Sequence, residues 1–173
     1  MINYRFTINS FSKPVLNSHL INTPIGTMIA IADEHNLFLL EFTDSKEINI
    51  GNIIKRKTKP IEQIEEELKL YFSGKLKTFK TPIYIEGSEF QKKVWNELLK
   101  IPYGETRSYK QQAISLGNSN AFRAVANANG VNKLAIIIPC HRIIHSNGKL
   151  GGYAGGIEKK EWLLNHENNN KRN

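Results

Sequence analysis

Five consecutive apolar residues, Leu134-Ala135-Ile136-Ile137-Ile138, run directly into Pro139-Cys140-His141-Arg142. Such a run is too short to span a bilayer and has the length of a buried strand. Pro139 ends it, because proline has no N–H for a ladder and biases the residue before it towards extended backbone. The expectation is a buried strand over 134–138 that delivers Cys140 to the edge of a core. Cys140 is the one cysteine of the 173 residues, so no internal disulfide can form. An imidazole and a guanidinium beside it favour a thiolate below the ordinary pKa of about 8.5. A structural cysteine satisfies the same local pattern. The residues alone therefore leave two readings, a reactive thiol or a small apolar side chain in the core.

Before that run the chain divides near Glu86-Gly87. Asn3–Ile8 alternates in the manner of a half-buried strand, and Val15–Ile21 is a weaker candidate. Ile25–Ile31 and Leu37–Phe42, joined by Asp33-Glu34-His35-Asn36, form a hairpin pattern. The basic stretch Lys55-Arg56-Lys57-Thr58-Lys59 reads as a solvated loop. Ile61, Ile64, Leu68 and Tyr71 recur at helical spacing, with Glu62 and Glu65 in the first turns and Gly74 as a stop. Pro82–Ile85 is a last short strand. This first part, 1–86, is an α+β unit with no catalytic signature, and its expected job is support.

The second part, 87–167, is mainly helical. Ser88 with Gln91, and Ser108 with Gln111, have the spacing of capping boxes. The first opens a helix whose inner face is Phe90, Val94, Leu98 and Ile101. The second opens a helix over 109–116, followed by Gly117-Asn118-Ser119 and another helix over 120–129, the helix-turn-helix plan. On that last helix Ala121, Ala124, Ala126 and Ala128 leave the surface nearly bare around one long cation, Arg123. Two packed helices inside any domain would look similar. Charge adds a hint: residues 1–85 hold 11 basic and 9 acidic side chains, whereas residues 86–173 hold 13 and 7. The excess sits on the half with Cys140 and suits an acidic partner such as nucleic acid, while ordinary solubility charge would give the same excess. After the cysteine come a turn at Ser146-Asn147-Gly148, paired glycines around Tyr153, and a helix over 157–166. Glu167 falls at that helix's carboxyl end, where the macrodipole disfavours a carboxylate, so it is either frayed into water or held by a specific partner. A polar tail, 168–173, is expected to be disordered.

Ile138-Pro139-Cys140-His141-Arg142, then Gly152-Tyr153-Ala154-Gly155-Gly156, then Lys160-Glu161-Trp162-Leu163-Leu164, resemble the O6-alkylguanine-DNA alkyltransferases. The resemblance runs from about Ser88 to Glu167 and extends weakly to Thr23-Pro24-Ile25-Gly26. It implies a ribonuclease-H-like amino-terminal domain and a winged helix-turn-helix-like carboxyl-terminal domain. It further implies irreversible, stoichiometric transfer of an alkyl group from O6-alkylguanine in duplex DNA to Cys140, with O4-alkylthymine as a second lesion it admits.

The roles it implies are these. Cys140 is the nucleophile, His141 the base acting through a water, and Glu167 the acid that orients the imidazole. Asn132 ties the active-site turn together. Tyr109 donates a proton to the departing guanine, and Arg123 fills the space left by the extruded base. Ala121, Ala124 and Ala126 set the fit to the minor groove. Tyr153 walls the guanine pocket, with backbone from Ile143 and Ala154 reading the base edge, while Arg142 belongs to the same neighbourhood and braces the turn. Departures are Lys133 and Ala135, where many relatives have prolines, and the bulky Phe122 on a face that is often bare. Some relatives hold a structural zinc through more than one cysteine, which this chain lacks. The expectation is thus no cofactor, no metal and no membrane, a monomer, and the cytoplasm, since the opening residues show no secretory signal. A DNA-binding module without catalysis and a cysteine hydrolase remain the competing classes. Covalent gain, no change, or turnover of an ester or amide would separate the three.

Overall fold

The computed structural model describes residues 15–44 and 53–171; the strand expected over Asn3–Ile8 lies outside them. The hairpin forms as β2 (Gly26–Ala32) and β3 (Leu37–Phe42), with β1 (Asn17–Thr23) antiparallel to β2 on its other side. A two-residue strand, β4 (Ile54–Lys55), adds in parallel to β1, giving the order β3-β2-β1-β4. Asp33 makes the hairpin turn, its carboxylate accepting from the backbone N–H groups of His35 and Asn36 at 2.7 Å each. The basic stretch after β4 is spent locally: Arg56 pairs with Glu34 and Lys57 with Glu65.

One sheet face carries Met28, Ala30, Ala32, Leu40 and Phe42 into the main core, against Ile61, Ile64, Leu68 and Tyr71 of α1 (Lys59–Phe72). Ile29, Ile31 and Leu39 point the other way and are covered by Leu16 and Ile53. Both faces of β3 are therefore buried, which explains its apolar character, broken only by the buried Glu41. Its outer edge is also closed. Leu37 exchanges backbone hydrogen bonds with Pro82 and Tyr84, and Leu40 with Lys133 and Ala135. The strand expected over Pro82–Ile85 thus reduces to a single bridge at Ile83.

The second half packs α2 (Glu89–Leu99), α3 (Tyr109–Ser115) and α4 (Phe122–Gly130) around Val94, Trp95, Leu98, Ala113, Val125 and Ala128. Both capping boxes form as the spacing demands. Phe90, expected on the inner face of α2, is 39% exposed. The turn between α3 and α4 contains a 3₁₀ segment, Ser119–Ala121, capped by the Asn118 side chain. Trp95 donates its indole N–H to the Ala128 carbonyl at 2.9 Å, and the Gln112 and Asn129 amides pair at 2.8 Å. The first bond fixes α4 against α2 and the second α3 against α4, while Gln112 Nε2 also donates to the Val94 carbonyl of α2 at 3.1 Å. A parallel pair, β5 (Arg107–Ser108) with β6 (Ile143–Ile144), lies beside them. The last helix, α5, spans Ile157–Asn169. It runs past the expected end, so Asn168 and Asn169 are helical and Asn170 bonds back to His166. One hydrophobic cluster unites residues of both halves, from Ile21 to Leu163.

The apolar run 134–138 is not a strand. Leu134 makes one bridge to Leu40, and the chain then curls into a buried turn in which Ile137 N–H bonds to Ala135 and Ile138 N–H to Leu134. Ile136 sits at φ +71°, a conformation a β-branched residue adopts only when its surroundings force it, at a cost of order 1–3 kcal/mol. An unbroken apolar run is compatible with any backbone that is buried on all sides. Here the closed edge of β3 takes one residue and local turns satisfy the rest.

Candidate active site

The tight turn continues into a 3₁₀ segment, Cys140–Arg142, which turns Cys140 to one side and His141 and Arg142 to another. Asn132 holds it. Its Oδ1 accepts from Leu134 N–H at 3.0 Å, and its Nδ2 donates to the Ile138 carbonyl at 2.8 Å and to Cys140 Sγ at 3.3 Å. The same amide thus fixes the turn on both sides and offers the sulfur a hydrogen bond that favours its charged form.

His141 and Arg142 turn inward to Glu167 on α5, and all three are buried. Glu167 is not frayed. Its Oε1 accepts from Tyr71 Oη at 2.8 Å, His141 Nε2 at 2.8 Å and Arg142 Nη2 at 3.0 Å. Its Oε2 accepts from Arg142 Nε at 2.9 Å and Gly104 N–H at 3.0 Å. Burial alone would raise the carboxyl's pKa, yet the hydrogen bonds from His141 and Arg142 and the guanidinium charge outweigh it and hold the group well below the usual carboxylate range. Burial is also the leading influence on His141, pushing its pKa down against the pull of Glu167. A neutral His141 gives Glu167 a hydrogen bond but no charge, so the ionic part of the pairing comes from Arg142. With Nε2–H donated to Glu167, Nδ1 is the basic nitrogen, and among the described residues no atom pairs with it.

Cys140 opens onto a cavity of about 320 Å³ shared with Tyr109, Ala126, Gly152, Tyr153 and Ala154. Tyr109 stands where glycine is required opposite: a Cβ on Gly151 would overlap its hydroxyl. A Cβ on Gly155 would come within 2.8 Å of the Phe42 and Tyr153 rings. Burial, and then the negative charge at Cys140, push the Tyr109 pKa up, so the phenol keeps its proton. Tyr153 is pushed higher still by burial, and its hydroxyl has no partner among the described residues. An adjoining groove of about 590 Å³ carries Arg123, Phe122, Lys110 and His145, and shares Tyr109, Ala126 and Gly152 with the first cavity. The Arg123 guanidinium lies 5.8 Å from the centre of the Phe122 ring, and that ring is exposed.

The fold therefore brings Cys140, Asn132, His141, Glu167, Tyr109, Tyr153, Ala154, Ala126 and Arg123 into one neighbourhood. Ala124 is exposed on α4, while Ala121 packs partly against the core and is not a bare groove contact. One further expectation needs correction, and a second keeps only its bracing part. Ile143 does not line the cavity; its N–H bonds to the Cys140 carbonyl and its own carbonyl is taken by Lys160 at 2.5 Å. Arg142, grouped with the substrate residues, spends its guanidinium on Glu167 and on the Ile101 carbonyl at 2.6 Å, so bracing is its geometry. Tyr71, Gly104 and Lys160 were missed. Tyr71 reads as a core aromatic, and Gly104 contributes only backbone. Lys160 lies on the i, i+3, i+7 stripe with Leu163 and Glu167, a stripe that apolar periodicity does not register.

Fold and site together define a protein with a cysteine, hydrogen-bonded by Asn132, at the wall of a ligand-sized cavity beside a helix-turn-helix. Comparison with known proteins narrows this class. Residues 16–85 match the ribonuclease-like domain of 6-O-methylguanine DNA methyltransferases, and residues 89–169 match the DNA binding domain of the same family. The methylated-DNA–protein-cysteine methyltransferase of Methanosarcina barkeri is 47% identical over 88% of this chain and 98% of its own length. The constitutive one of Bacillus subtilis is 41% identical over 84% and 91%. The crystal structure of Mycobacterium tuberculosis O6-methylguanine methyltransferase superposes with a TM-score of 0.83 at 37% identity, covering 90% of this chain and 94% of that one. A structure of that protein in complex with DNA gives 0.83 at 38% identity, over 89% and 94%. This chain belongs to the O6-alkylguanine-DNA alkyltransferase family.

Proposed function

We propose that this chain repairs DNA by moving an alkyl group from guanine O6 onto Cys140 Sγ, once per molecule. The observation that carries the proposal is the thiol itself. It stands at the wall of a cavity, hydrogen-bonded by Asn132 and followed by a histidine whose second nitrogen is bonded to a buried carboxylate. His141 Nδ1 takes the thiol proton through a water. The thiolate attacks the alkyl carbon, forming the S–C bond as the C–O bond breaks, and the electron pair leaves on the guanine. Tyr109, which keeps its proton, donates to the departing base. The base must leave the duplex to reach Cys140, at a cost of a few kcal/mol, and Arg123 in the adjoining groove fills the gap it leaves.

The relatives' names, and the DNA-bound relative, support duplex DNA as the partner. In this reading the part from 87 to 167 binds DNA and carries the thiol, while the part from 1 to 86 supports it and lends Tyr71. The protein acts as a monomer in the cytoplasm, where a lone thiol stays reduced. The thioether is a poor leaving group, and no second cysteine can accept the alkyl group. Incubation with duplex containing O6-methylguanine should add one methyl per protein, mapped to Cys140, and product should plateau at one equivalent. A progress curve that stays linear past one equivalent would overturn the single-use reading. Methyl uptake by Cys140→Ala would overturn the nucleophile.

A further inference from the structure

Lys160 is 0% exposed, and its ammonium reaches three parts of the site at once. Nζ donates to the Ile143 carbonyl at 2.5 Å and to the Gly152 carbonyl at 3.4 Å, and lies 5.9 Å from the centre of the Tyr109 ring. Ile143 follows directly on the turn that carries Cys140. Gly152 precedes Tyr153, which walls the cavity. One side chain therefore ties the thiol's own segment to the loop opposite.

A buried ammonium needs a counter-charge, since desolvation otherwise strips its proton. Among the described residues no carboxylate forms an ion pair with Lys160. Glu167, about two turns further along α5, is already satisfied by Arg142, His141, Tyr71 and Gly104. His141 and Arg142 offer no negative charge, and Tyr109 and Tyr153 keep their protons. Glu41 of β3, also buried, faces Cys140 and Tyr153 but makes no ion pair with Lys160, so the anion that acts on Lys160 is the Cys140 thiolate.

We propose that Lys160 is a positioning residue whose ammonium is balanced by the Cys140 thiolate, so that alkylation of the sulfur removes the balance and releases the loop at Gly152. The proposal rests on Cys140 being the alkylated atom, and it goes beyond the transfer itself. In the unreacted protein the two charges support each other: the cation favours thiolate, and the thiolate keeps the lysine protonated and bonded. Burial already pulls the lysine's pKa down to about 8, with Cys140 opposing. A thioether is neutral. Once it forms, the lysine is left buried with carbonyl dipoles alone, and the longer bond, to Gly152, is the weaker of its two.

Methyl iodide alkylates a thiol without DNA, so the test does not depend on repair activity. Alkylation rates across pH by intact mass, and hydrogen exchange over residues 151–156 before and after methylation, are measured for wild type and Lys160→Met. Removing the cation should move the midpoint of thiol reactivity up by about one pH unit, a tenfold slower reaction below it. Methylation should speed exchange of the wild-type loop about tenfold. In Lys160→Met the loop should already exchange fast and respond less than about twofold, because the clamp is absent. A Lys160→Met protein with the wild-type midpoint, or with the wild-type response to methylation, would overturn the proposal and leave Lys160 a plain structural brace. If that variant does not fold, wild type alone decides. Its response to methylation, corrected for intrinsic exchange, should be present near pH 7 and fade by about pH 10, where the lysine is neutral in both forms. A response unchanged with pH overturns the charge linkage. Methylation by methyl iodide but not by alkylated DNA would sink the repair function and still leave this result readable.

Discussion

Replacing Glu167 by Gln keeps the shape of the side chain and tests how the site is held. The carboxylate accepts five hydrogen bonds, three on Oε1 and two on Oε2. Glutamine offers one oxygen and one NH₂ group. Whichever way it turns, at least two donors face another donor. Arg142, still buried, also loses its counter-charge. Breaking one side of a buried ion pair costs about 3–5 kcal/mol, against a typical total stability of about 5–15 kcal/mol. At roughly 2–4 °C per kcal/mol for a chain of this size, the melting temperature should fall by roughly 6–20 °C. Urea unfolding followed by tryptophan fluorescence should show a lower midpoint with an unchanged slope. Adding Arg142→Met to the same protein should restore part of the loss, because the uncompensated charge is then gone. A loss below about 1 kcal/mol, or a double variant whose losses simply add, would refute the view that Glu167 is the anion on which this site is assembled.

Gly151→Ala should push Tyr109 aside and slow transfer by about 10² or more, the scale of a lost proton donor, while unfolding stays near wild type; an unchanged single-turnover rate would remove Tyr109 from the chemistry. Arg123→Ala should slow reaction with duplex more than reaction with the free alkylguanine base, since a free base needs no extrusion; equal losses would make Arg123 a brace of the fold. The folded-state pKa of His141 lies below its unfolded value of 6.5, so its contribution to stability is present above pH 6.5 and is lost as pH falls from there towards the folded pKa. His141→Gln should remove that part of the pH slope in urea unfolding, and a slope identical to wild type would mean that the imidazole is not held neutral.

Local chemistry was legible wherever the signal was short-range. Ser88 with Gln91 and Ser108 with Gln111 become capping boxes because both partners lie within one helical turn. The Asp33–Asn36 turn and the inward stripe of α1 follow for the same reason. The thiol, its histidine and the carboxylate were legible through family motifs, but the company they keep was not. Tyr71 meets Glu167 across 96 residues of chain, and Gly104 across 63. Nothing in the spacing of either residue announces the contact. The run 134–138 misled because its hydrophobicity reports burial, and burial there is achieved by a turn strained at Ile136. Lys160 was hidden by the opposite error, a charged residue in a core position, visible only when the site around it is assembled.

The position of Glu167 in the chain has a consequence for the newly made protein. Among the residues that bond its carboxylate, Tyr71, Gly104, His141 and Arg142 all precede it, and Cys140 is translated 27 residues earlier. At about 5–20 residues per second, roughly one to five seconds separate synthesis of the thiol from synthesis of the acid. Throughout that interval His141 has no carboxylate to orient it and Arg142 none to pair with. In the proposed mechanism the cysteine therefore gains its relay only when α5 docks. A molecule that can react once is kept from wasting its thiol on stray electrophiles before its fold is complete.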